Sequence, residues 1–509
     1  MRLSELLAAW QPVAVTGTLD CDITGVEHDS RRVEPGNLFV CIRGFRQDGH
    51  AFIAEAARRG ARAVVVETDS ATLAIPASLT VLRAADSRIA LARMAARFYG
   101  EPSRALRLVG VTGTNGKTTT AYLVEAILRA AGYQAGLLGT IEYRCAGQTF
   151  PGERTTPESS DLQRLLRRMA DLGAWGAAME VSSHSLVLSR VVGCEFDVAI
   201  FTNLTQDHLD FHGTMEQYAD AKALLFEALG QERTKPRDPA AVLNGDDPWA
   251  ERMVRETAAR VLRFSMERET DLFPRASRFD LAGIQATLST PWGPLAVHSR
   301  LVGRHNLANI LGAVGAGLSL GISPQAVEAG IASLAAVPGR FEKIEAGQPF
   351  GAVVDYAHTP DALQRVLTVA REYAAGRVLV VFGCGGDRDR GKRPLMGAVA
   401  AGLADELFLT SDNPRSEDPR AILQEIERGV KKGSRPGMTH ANIPDRREAI
   451  GAALARARSG DIVVLAGKGH EAYQILRDRT IPFDDRVVAR EALADLGFGA
   501  PSGSPAEDH

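Results

Sequence analysis

The sequence contains few cysteines, and their spacing indicates no structural role for them. Its 509 residues include five cysteines, which are scattered along the chain and form no Cys-x-x-Cys pair. An odd number at such spacing argues against a disulfide framework and against a zinc ribbon. We therefore expect a protein suited to a reducing compartment.

Strong net charge and long apolar segments are missing as well. The formal net charge is −3, which gives no reason to expect non-specific binding to nucleic acid or membranes. No segment approaches the roughly 20 apolar residues that a membrane helix needs, and the stretch MRLSELLAAWQPVAV shows no signal-peptide pattern. These absences predict a cytoplasmic protein with no nucleic-acid partner and no membrane insertion.

Length and composition indicate several globular domains. The chain has 45% hydrophobic and 24% charged residues, which is typical of a soluble globular protein, and it is too long for one core. The segments YGEPSRAL and AAVPGRFEKIE interrupt the pattern near residues 103 and 338. We predict domains at 1–103, 104–337 and 338–498, followed by a disordered tail at 499–509.

Strand-like runs alternate with helical segments after residue 106. LRLVGVTG, WGAAMEVSSH and FDVAIFTNLT come first, and GAVVDYAH, RVLVVFGCGG, DELFLTSDNP and DIVVLAGKGH follow residue 338. Such alternation is typical of parallel sheets covered by helices. We predict an α/β fold with three domains, a central P-loop domain with a mostly parallel sheet and a C-terminal Rossmann-like domain.

A glycine-rich turn between a strand and a helix predicts a phosphate site. The segment TGTNGKTT allows a tight turn, Lys117 supplies a positive charge, and the hydroxyl of Thr118 can bind Mg²⁺. The predicted nucleotide-binding residues are Gly113, Thr114, Asn115, Gly116, Lys117, Thr118 and Thr119.

One position of this turn departs from the usual GxxxxGK[ST] pattern, because Val111 stands where the first glycine would be. A chance glycine-rich turn is the alternative, but the flanking strand and helix favour binding of ATP or GTP. A GTPase switch would also carry an Asn-Lys-x-Asp motif, which the sequence lacks.

A lysine falls on the apolar face of a predicted helix. Thr214 and Gln217 form a capping-box pattern that predicts a helix from Met215, and Lys222 lies on the face that carries its apolar side chains. One interpretation is a lysine whose ammonium group extends to water. The other is a desolvated amine with a lowered pKa, which captures CO₂ as a carbamate.

Potential metal ligands flank this helix. Glu180 ends the strand GAAME, and His208 precedes the helix. With a carbamylated Lys222 and the hydroxyl of Thr118, these residues form a predicted Mg²⁺ site beside the nucleotide. A structural role for the histidine is the alternative.

The segment SDNPR raises the question of what an acid, an amide and an arginine do on one stiffened turn. An ordinary capped turn with solvated charges is one answer, since Asp418 and Pro419 then predict a helix start. The other answer is recognition of a molecule with carboxylate and ammonium groups. Four loops that follow parallel strands can converge here, because ligands bind at the carboxyl ends of such strands.

Taken together, these motifs resemble the Mur ligase family, the ATP-dependent enzymes that build the peptide stem of bacterial peptidoglycan. The resemblance rests on TGTNGKTT, MEVSSH, TNLTQDHLDFHG, GRHNLANI, VDYAHTPDAL, GCGGDRDRGKRPLM, SDNPR and AGKGHE, in this order. It implies addition of meso-2,6-diaminopimelate to the D-glutamyl γ-carboxylate of UDP-N-acetylmuramoyl-L-alanyl-D-glutamate through an acyl phosphate. ATP, Mg²⁺ and a carbamate on Lys222 are the implied cofactors.

The resemblance also implies roles for individual residues. The muramyl dipeptide substrate would contact His28, Ser30, Phe45, Arg46, Gln47, Thr155, Thr156, Ser182 and Arg190. Adenosine would contact Asn306, Arg340 and Asp355, with His358 nearby. Arg154 and Leu188 depart from the family pattern, so no contact is assigned to them.

The resemblance assigns diaminopimelate to the last domain. Its implied contacts are Arg388, Asp412, Asn413, Pro414, Arg415, Gly467 and Glu471. The two arginines suit carboxylates and the two acids suit ammonium groups. Lys117 and Lys222 are the predicted catalytic lysines, and His208 and His358 are both candidates for the general base. A scaffold protein and a folylpolyglutamate synthetase are the competing hypotheses, and the SDNPR turn counts against both.

Overall fold

A computed structural model describes residues 1–45, 47–68, 73–150, 152, 154–231, 234–255 and 257–499. The chain forms two compact units. The first unit comprises Met1–Arg278, Gln285–Ser299 and Arg304–Leu334, and the second consists mainly of the described residues from Ala335 onward. The predicted division into three domains stays a prediction, and the predicted tail lies outside the described residues except for Gly499.

The first unit begins with a five-stranded sheet of order β1-β5-β4-β3-β2, in which only β1 is antiparallel to its neighbour. Its core strand β4 has the sequence AVVV, and all four residues are buried. The elements are α1 (Leu3–Leu6), β1 (Ala14–Thr16), β2 (Val26–Glu27), β3 (Leu38–Val40), α2 (Ile53–Arg58), β4 (Ala63–Val66), β5 (Thr80–Arg83) and α3 (Ser87–Phe98).

The larger sheet of the first unit has eight strands in the order β13-β12-β11-β6-β10-β7-β8-β9. Its strands are β6 (Arg107–Thr112), β7 (Ala135–Leu138), β8 (Tyr143–Cys145), β9 (Gln148–Phe150), β10 (Gly176–Glu180), β11 (Val198–Phe201), β12 (Ala240–Asn244) and β13 (Arg260–Phe264). Neighbouring strands from β13 to β7 are parallel, while β8 and β9 add antiparallel pairs. The predicted mostly parallel sheet is thereby confirmed.

Helices and a small three-stranded sheet complete this part of the chain. The helices are α4 (Lys117–Ala130), α5 (Ser159–Asp171), α6 (Ser183–Val187), α7 (Leu209–His212), α8 (Met215–Glu227), α9 (Ala250–Val254), α10 (Arg304–Ser319) and α11 (Pro324–Ser333). The small sheet has the order β14 (Phe273–Asp280), β15 (Gly283–Ser289) and β16 (Leu295–Ser299).

The second unit is built on a six-stranded sheet of order β17-β18-β22-β19-β20-β21, which is parallel except for β17. Its elements are β17 (Glu342–Lys343), β18 (Gly351–Asp355), α12 (Pro360–Tyr373), β19 (Val378–Phe382), α13 (Lys392–Leu403), β20 (Glu406–Leu409), α14 (Pro419–Gly433), β21 (Thr439–Asn442), α15 (Arg446–Arg456), β22 (Ile462–Ala466), β23 (Tyr473–Ile475), β24 (Thr480–Pro482) and α16 (Asp485–Asp495). Strands β23 and β24 pair as a separate hairpin. The α/β fold predicted from the sequence is confirmed.

Local capping explains where two helices near the expected sites begin. The side chain of Thr214 accepts a hydrogen bond from the Gln217 N–H at 3.2 Å, so α8 begins at Met215 as predicted. The side chain of Asp418 accepts from the Arg420 N–H at 3.0 Å, with Pro419 as the first residue of α14. Within the described part of the chain, none of the helices has the length and apolar character needed to cross a membrane.

A buried ion pair holds two strand ends of the second unit. The side chains of Arg446 and Asp485, which begin α15 and α16, are both fully buried and form two hydrogen bonds of 2.8 and 2.6 Å. The same guanidinium donates to the carbonyl of Ala466 at 3.0 Å and to that of Ser411 at 3.4 Å. It therefore joins the end of β22 to the residues just after β20.

Removal of one member of this pair should destabilise the protein strongly. Asp485→Ala leaves the Arg446 charge buried and unpaired, which costs about 3–5 kcal/mol. Urea unfolding followed by circular dichroism measures the loss. Glu491→Ala is the matched control, since Glu491 pairs with Arg447 across the same two helices but both side chains are more than half exposed; it should cost under about 1 kcal/mol. Equal losses in the two variants would contradict the assignment.

Candidate active site

The glycines of the predicted phosphate loop are required by their surroundings. Gly113 and Gly116 have φ values of +150° and +87°, in the region that favours glycine. A Cβ atom at Gly113 would lie 1.9 Å from Thr202 Oγ1, and one at Gly116 would lie 2.3 Å from Asn309 Oδ1. The loop thus fits between the end of β11 and the helix α10 only if both positions lack side chains.

The loop is held in shape by the segment that follows β11. The N–H groups of Thr114 and Asn115 donate to the backbone and side-chain oxygens of Asn203 at 2.8 and 3.0 Å. The Thr114 hydroxyl donates to the carbonyl of Thr205 at 3.1 Å. The sequence analysis gave Asn203 no role, although its position two residues after the end of the parallel strand β11 was the available signal.

The two predicted catalytic lysines meet at one backbone oxygen. The ammonium group of Lys117 donates to the carbonyls of Gly113 and Thr114 at 3.0 and 2.8 Å. The side chain of Lys222, more than one hundred positions later, donates to the same Gly113 carbonyl at 2.9 Å. Two amines are therefore brought together at the start of the phosphate loop.

Lys222 does not extend to water. Only 1% of the residue is exposed, and Tyr218, Leu225 and Phe226 are buried on the same side of α8. Its Nζ atom lies 4.4 Å from the centre of the Tyr218 ring. Burial, reinforced by the positive charge of Lys117, lowers the pKa of Lys222 well below its ordinary value. The interpretation as a solvated lysine was wrong, because the side chain is buried, and the capture of CO₂ by this amine stays a prediction.

Glu180 connects the expected metal and substrate residues. Its Oε1 atom accepts from the Thr140 N–H at 2.8 Å, and its Oε2 accepts from the Thr140 hydroxyl at 3.2 Å. The Thr140 hydroxyl also lies 3.0 Å from that of Thr155, and the Thr156 hydroxyl donates to the Glu180 carbonyl at 2.9 Å. Strand pairing sets Glu180 beside Val111, which occupies a buried strand position in place of the usual loop glycine.

Arg190 lies in the same neighbourhood with an acid that the sequence reasoning missed. Its guanidinium donates to Glu158 Oε2 at 3.2 Å and to the Thr156 carbonyl at 3.3 Å. Both Arg190 and Glu158 are buried, and burial lowers the pKa of Arg190. The Ser182 hydroxyl caps the short helix α6 by accepting from the Ser185 N–H. No motif had pointed to Glu158.

Aromatic and imidazole rings form a stack that includes His208. The ring of His184 lies 4.1 Å from that of Phe211 and 4.9 Å from that of His208, and the exposed ring of Phe45 meets Phe211 edge-on at 5.8 Å. His208 has φ +53°. Partial burial lowers the pKa of His208, and the ammonium group of Lys117 acts in the same direction, while the carboxylate of Asp207 opposes them.

Other predicted residues of the first unit have separate partners. The Nδ1 atom of His28 lies 3.0 Å from the Ser160 hydroxyl, and the Ser30 hydroxyl donates to Glu55 at 2.9 Å. Gln47 accepts a backbone hydrogen bond from Gly44 at 2.9 Å. Arg46 lies outside the described residues.

The predicted adenosine residue Asn306 is buried at the start of α10. Its Oδ1 atom accepts from the side chain of Asn309 at 2.9 Å, and Asn309 is the residue packed against Gly116 of the phosphate loop.

The remaining predicted adenosine residues surround the end of β18 in the second unit. The carboxylate of Asp355 accepts from the N–H groups of Phe341 and Ala357 at 2.8 and 2.9 Å. The guanidinium of Arg340 lies 4.9 Å from the ring centre of Tyr356. His358 Nδ1 lies 2.8 Å from the Tyr356 carbonyl.

The loops of the second unit converge as the sequence predicted. The Arg415 guanidinium donates to the Gly386 carbonyl at 2.7 Å, and Arg415 itself has φ +51°. A Cβ atom at Gly385 would lie 2.9 Å from Arg415 Nη1 and 3.6 Å from Arg388 Cγ. The glycine-rich loop after β19, which carries Arg388, and the turn after β20, which carries Arg415, therefore lie against each other.

The same turn meets the loop after β22. Gly467 has φ +114°, and a Cβ atom there would lie 2.7 Å from the Asp412 carboxylate. The side-chain amide of Asn413 donates to Glu471 Oε2 at 3.0 Å. A Cβ atom at Gly386 would lie 1.9 Å from the Pro414 carbonyl oxygen, so this glycine allows the two loops to touch.

A hairpin that the sequence reasoning overlooked supports this turn. The Gln474 side chain donates to the Asp412 carbonyl at 2.7 Å, and the Ile475 N–H donates to Asn413 Oδ1 at 2.9 Å. The Arg415 N–H in turn donates to the Ile475 carbonyl at 3.1 Å. Strand β23 thus fixes both the backbone and one side chain of the SDNPR turn.

Among the described residues, no group of three or more His, Cys, Asp or Glu side chains could hold a metal ion. A metal here would therefore depend on additional oxygen ligands, which hydroxyls, a modified lysine or substrate phosphates can supply.

Three regions of the chain match known protein families. Residues 22–99 match the description "Mur ligase family, catalytic domain", residues 111–317 match "Mur ligase middle domain", and residues 339–469 match "Mur ligase, glutamate ligase domain". All three regions follow one another in the order of the predicted domains.

Relatives extend this similarity over nearly the whole chain. The UDP-N-acetylmuramoyl-L-alanyl-D-glutamate–2,6-diaminopimelate ligase of Geobacillus kaustophilus is 48% identical over 476 residues, which cover 94% of this chain and 96% of that protein. The ligase of the same name from Solibacter usitatus is 49% identical over 501 residues, covering 98% of this chain and 99% of its own.

Solved structures share the fold. A structure of a ligase with that name has 34% identity and a TM-score of 0.71, covering 98% of this chain and 99% of the other. A folylpolyglutamate synthase of Mycobacterium tuberculosis, at 20% identity and a TM-score of 0.59, covers 81% of this chain and 94% of its own and shares the fold alone. Because relatives nearly one-half identical span almost all of this chain and three of its regions match Mur ligase family models, this chain belongs to the Mur ligase family.

Proposed function

We propose that this chain is an ATP-dependent ligase that joins meso-2,6-diaminopimelate to the D-glutamyl γ-carboxylate of UDP-N-acetylmuramoyl-L-alanyl-D-glutamate, in peptidoglycan precursor synthesis. The observation that carries the proposal is the convergence, in the second unit, of the loops that carry Arg388, Asp412, Arg415 and Glu471. The names and coverage of the relatives support it. Because ATP and a UDP-linked sugar are soluble metabolites, we place the reaction in the cytoplasm.

The phosphate loop supports ATP binding. Its glycines leave no room for side chains, and Lys117 supplies positive charge at the N-terminus of α4. Since Asn203 occupies the N–H groups of Thr114 and Asn115, the phosphates would lie toward Gly116 and the first turn of the helix. The nucleotide set is Gly113, Thr114, Asn115, Gly116, Lys117, Thr118, Thr119, Asn306, Arg340 and Asp355.

The surroundings of Lys222 support its carbamylation. A neutral amine attacks CO₂ and releases a proton, which leaves a carbamate with one negative charge. The low pKa of the buried Lys222 provides the neutral amine, and the ammonium group of Lys117 at the same carbonyl would then face an opposite charge. A buried carboxylate-like group is stabilised by such a pairing.

The oxygen-rich donor set suits Mg²⁺, which prefers carboxylates and phosphates and needs few protein ligands. We propose Thr118, Glu180, His208 and the carbamate of Lys222 as the residues that would hold it. When bound, the ion would neutralise charge on the transferring phosphoryl group.

We propose the following chemistry for these protein groups. The γ-carboxylate attacks the γ-phosphorus of ATP, ADP leaves, and an acyl phosphate forms while Lys117 balances the developing charge. The amine of diaminopimelate attacks the acyl carbon, loses a proton and expels phosphate, which leaves an amide. Desolvation lowers the pKa of both His208 and His358, which favours the neutral imidazole, and we propose these two histidines as the candidates to accept this proton.

The substrate contacts divide between the two units. We propose that the muramyl dipeptide contacts His28, Ser30, Phe45, Arg46, Gln47, Thr155, Thr156, Ser182 and Arg190, and that diaminopimelate contacts Arg388, Asp412, Asn413, Pro414, Arg415, Gly467 and Glu471. Arg388 and Arg415 can each bind a carboxylate, and Asp412 and Glu471 suit ammonium groups. One charge-assisted contact of this kind contributes about 1.5–3 kcal/mol.

The choice of amino acid tests this proposal directly. With ATP, Mg²⁺ and the UDP-muramyl dipeptide, we expect phosphate release with meso-diaminopimelate to exceed that with L-lysine by at least about tenfold, because lysine lacks the second carboxylate. Phosphate release measured at equal amino-acid concentrations gives the ratio. Equal rates with both amino acids would remove the specificity claim.

Loss of the buried lysine should abolish most activity. Lys222→Ala is expected to lower kcat by about 100-fold or more, since it removes the carbamate oxygens. Short-chain carboxylic acids such as acetate should restore part of the rate by filling the vacated space with a carboxylate. Leu224→Ala, at a partly exposed position on the same helix, is the control and should keep full activity. Full activity of Lys222→Ala would refute the carbamate.

A further inference from the structure

A second fully buried lysine lies among the amino-acid loops, and nothing in the proposed chemistry yet uses it. The side chain of Lys468 has 0% exposure. Its Nζ atom donates to Asn413 Oδ1 at 3.2 Å and to Glu471 Oε2 at 3.4 Å. It also lies 5.7 Å from the centre of the Tyr473 ring. Lys468 therefore contacts both a side-chain amide and an acid of the proposed diaminopimelate set.

These contacts fix the orientation of the Asn413 amide. Its oxygen accepts from both Lys468 and the Ile475 N–H, and its nitrogen donates to Glu471. A rotation that exchanged the oxygen and nitrogen would place the NH₂ group next to two donors, Lys468 and the Ile475 N–H, and would place the amide oxygen next to the Glu471 carboxylate, which cannot donate when ionised. The lysine and the Ile475 N–H together determine which end of the amide faces Glu471.

Lys468 also balances negative charge in the loops. Asp412 is buried and Glu471 is half-buried. Burial lowers the pKa of Lys468, whereas the negative charges of these two carboxylates act to raise it. Glu471 Oε2 already has two donors, while its Oε1 has no hydrogen-bond partner among the described residues. That oxygen can accept an ammonium group of a ligand.

The backbone of these loops does not depend on the lysine side chain. The guanidinium of Arg446 donates hydrogen bonds to the carbonyls of Ser411 and Ala466. The Gly467 N–H donates to the Asp355 carbonyl at 3.0 Å. The loop path is thus set by other contacts, and the Lys468 amine acts on the side chains that face the ligand.

We propose that Lys468 is a positioning residue that holds Asn413 and Glu471 in the arrangement needed to select an amino acid with a second amino and carboxylate end. This inference rests on the proposed function, since it assigns Asn413 and Glu471 to the amino-acid substrate. It adds a selectivity role for a side chain that donates only to protein acceptors.

The test replaces the amine without shortening the side chain. For Lys468→Met we expect the KM for diaminopimelate to rise about ten- to a hundred-fold, with the KM values for ATP and the UDP-muramyl dipeptide changed less than about twofold. The ratio of kcat/KM for diaminopimelate over lysine should fall with it. Lys468→Gln keeps an N–H donor and should lose less of this ratio, and it also decides the question if the methionine variant does not fold.

Two comparisons separate positioning from general destabilisation. Lys235→Met is the matched control, because Lys235 is an equally buried lysine of the first unit that donates to Asp197 at 2.6 Å; it should lower the melting temperature without raising the diaminopimelate KM. In an Asn413→Ala background, Lys468→Met should have a smaller effect than in the wild type, because its main partner is already missing.

The outcomes are distinguishable from those of the proposed function. A wild-type enzyme that does not use diaminopimelate overturns both. A wild-type enzyme that uses it, with folded Lys468 variants that keep the diaminopimelate-to-lysine ratio or raise all three KM values equally, overturns only the role of Lys468. Full additivity with Asn413→Ala overturns it as well.

Discussion

The hydrogen bonds that Lys117 and Lys222 donate to the single carbonyl of Gly113 are the interaction on which the rest of the site depends. The desolvated amine of Lys222 and the ammonium group of Lys117 meet at this oxygen, and the charge of Lys117 creates a local demand for negative charge. ATP phosphates at the loop and a carbamate on Lys222 would both meet that demand. Gly113 and Gly116 are required because Thr202 and Asn309 leave no space for side chains at these positions. Asn203 holds the loop in the shape that allows the two lysines to meet.

Buried charged side chains also organise the second unit, where they hold the loops at the ends of its parallel strands. Its parallel strands end at one edge, and buried charges join those ends: Arg446 links the residues after β20 to the end of β22, and Lys468 links Asn413 to Glu471. Buried ionic groups cost desolvation free energy unless they are well paired and hydrogen-bonded, so these contacts require a fixed geometry of the loops. That requirement fits recognition of a small, highly charged amino acid, in which the position of each carboxylate and ammonium group matters.

Sequence reasoning reached the α/β fold, the starts of α8 and α14, and the position of Lys222 on the apolar face of its helix, because each depends on local patterns of apolar residues and caps. It left open whether the amine of Lys222 is buried or solvated. It also expected the loops around Asp412 and Glu471 to converge, since strand ends in a parallel sheet share an edge. It missed Asn203, Glu158, Lys468 and the β23 strand because their roles arise from contacts between residues far apart in the chain. A short strand such as Tyr473–Ile475 carries too little periodicity to reveal that it braces a turn sixty residues earlier.

In the proposed reaction, ATP bound at the phosphate loop activates the D-glutamyl γ-carboxylate by phosphorylating it. Labelling of the D-glutamyl γ-carboxylate with ¹⁸O tests this claim most directly, because an acyl phosphate transfers one carboxylate oxygen to the released phosphate. Mass spectrometry of the inorganic phosphate should then find one ¹⁸O atom per turnover, with the other retained in the amide. Unlabelled phosphate, formed at the same rate as the amide, would contradict the account.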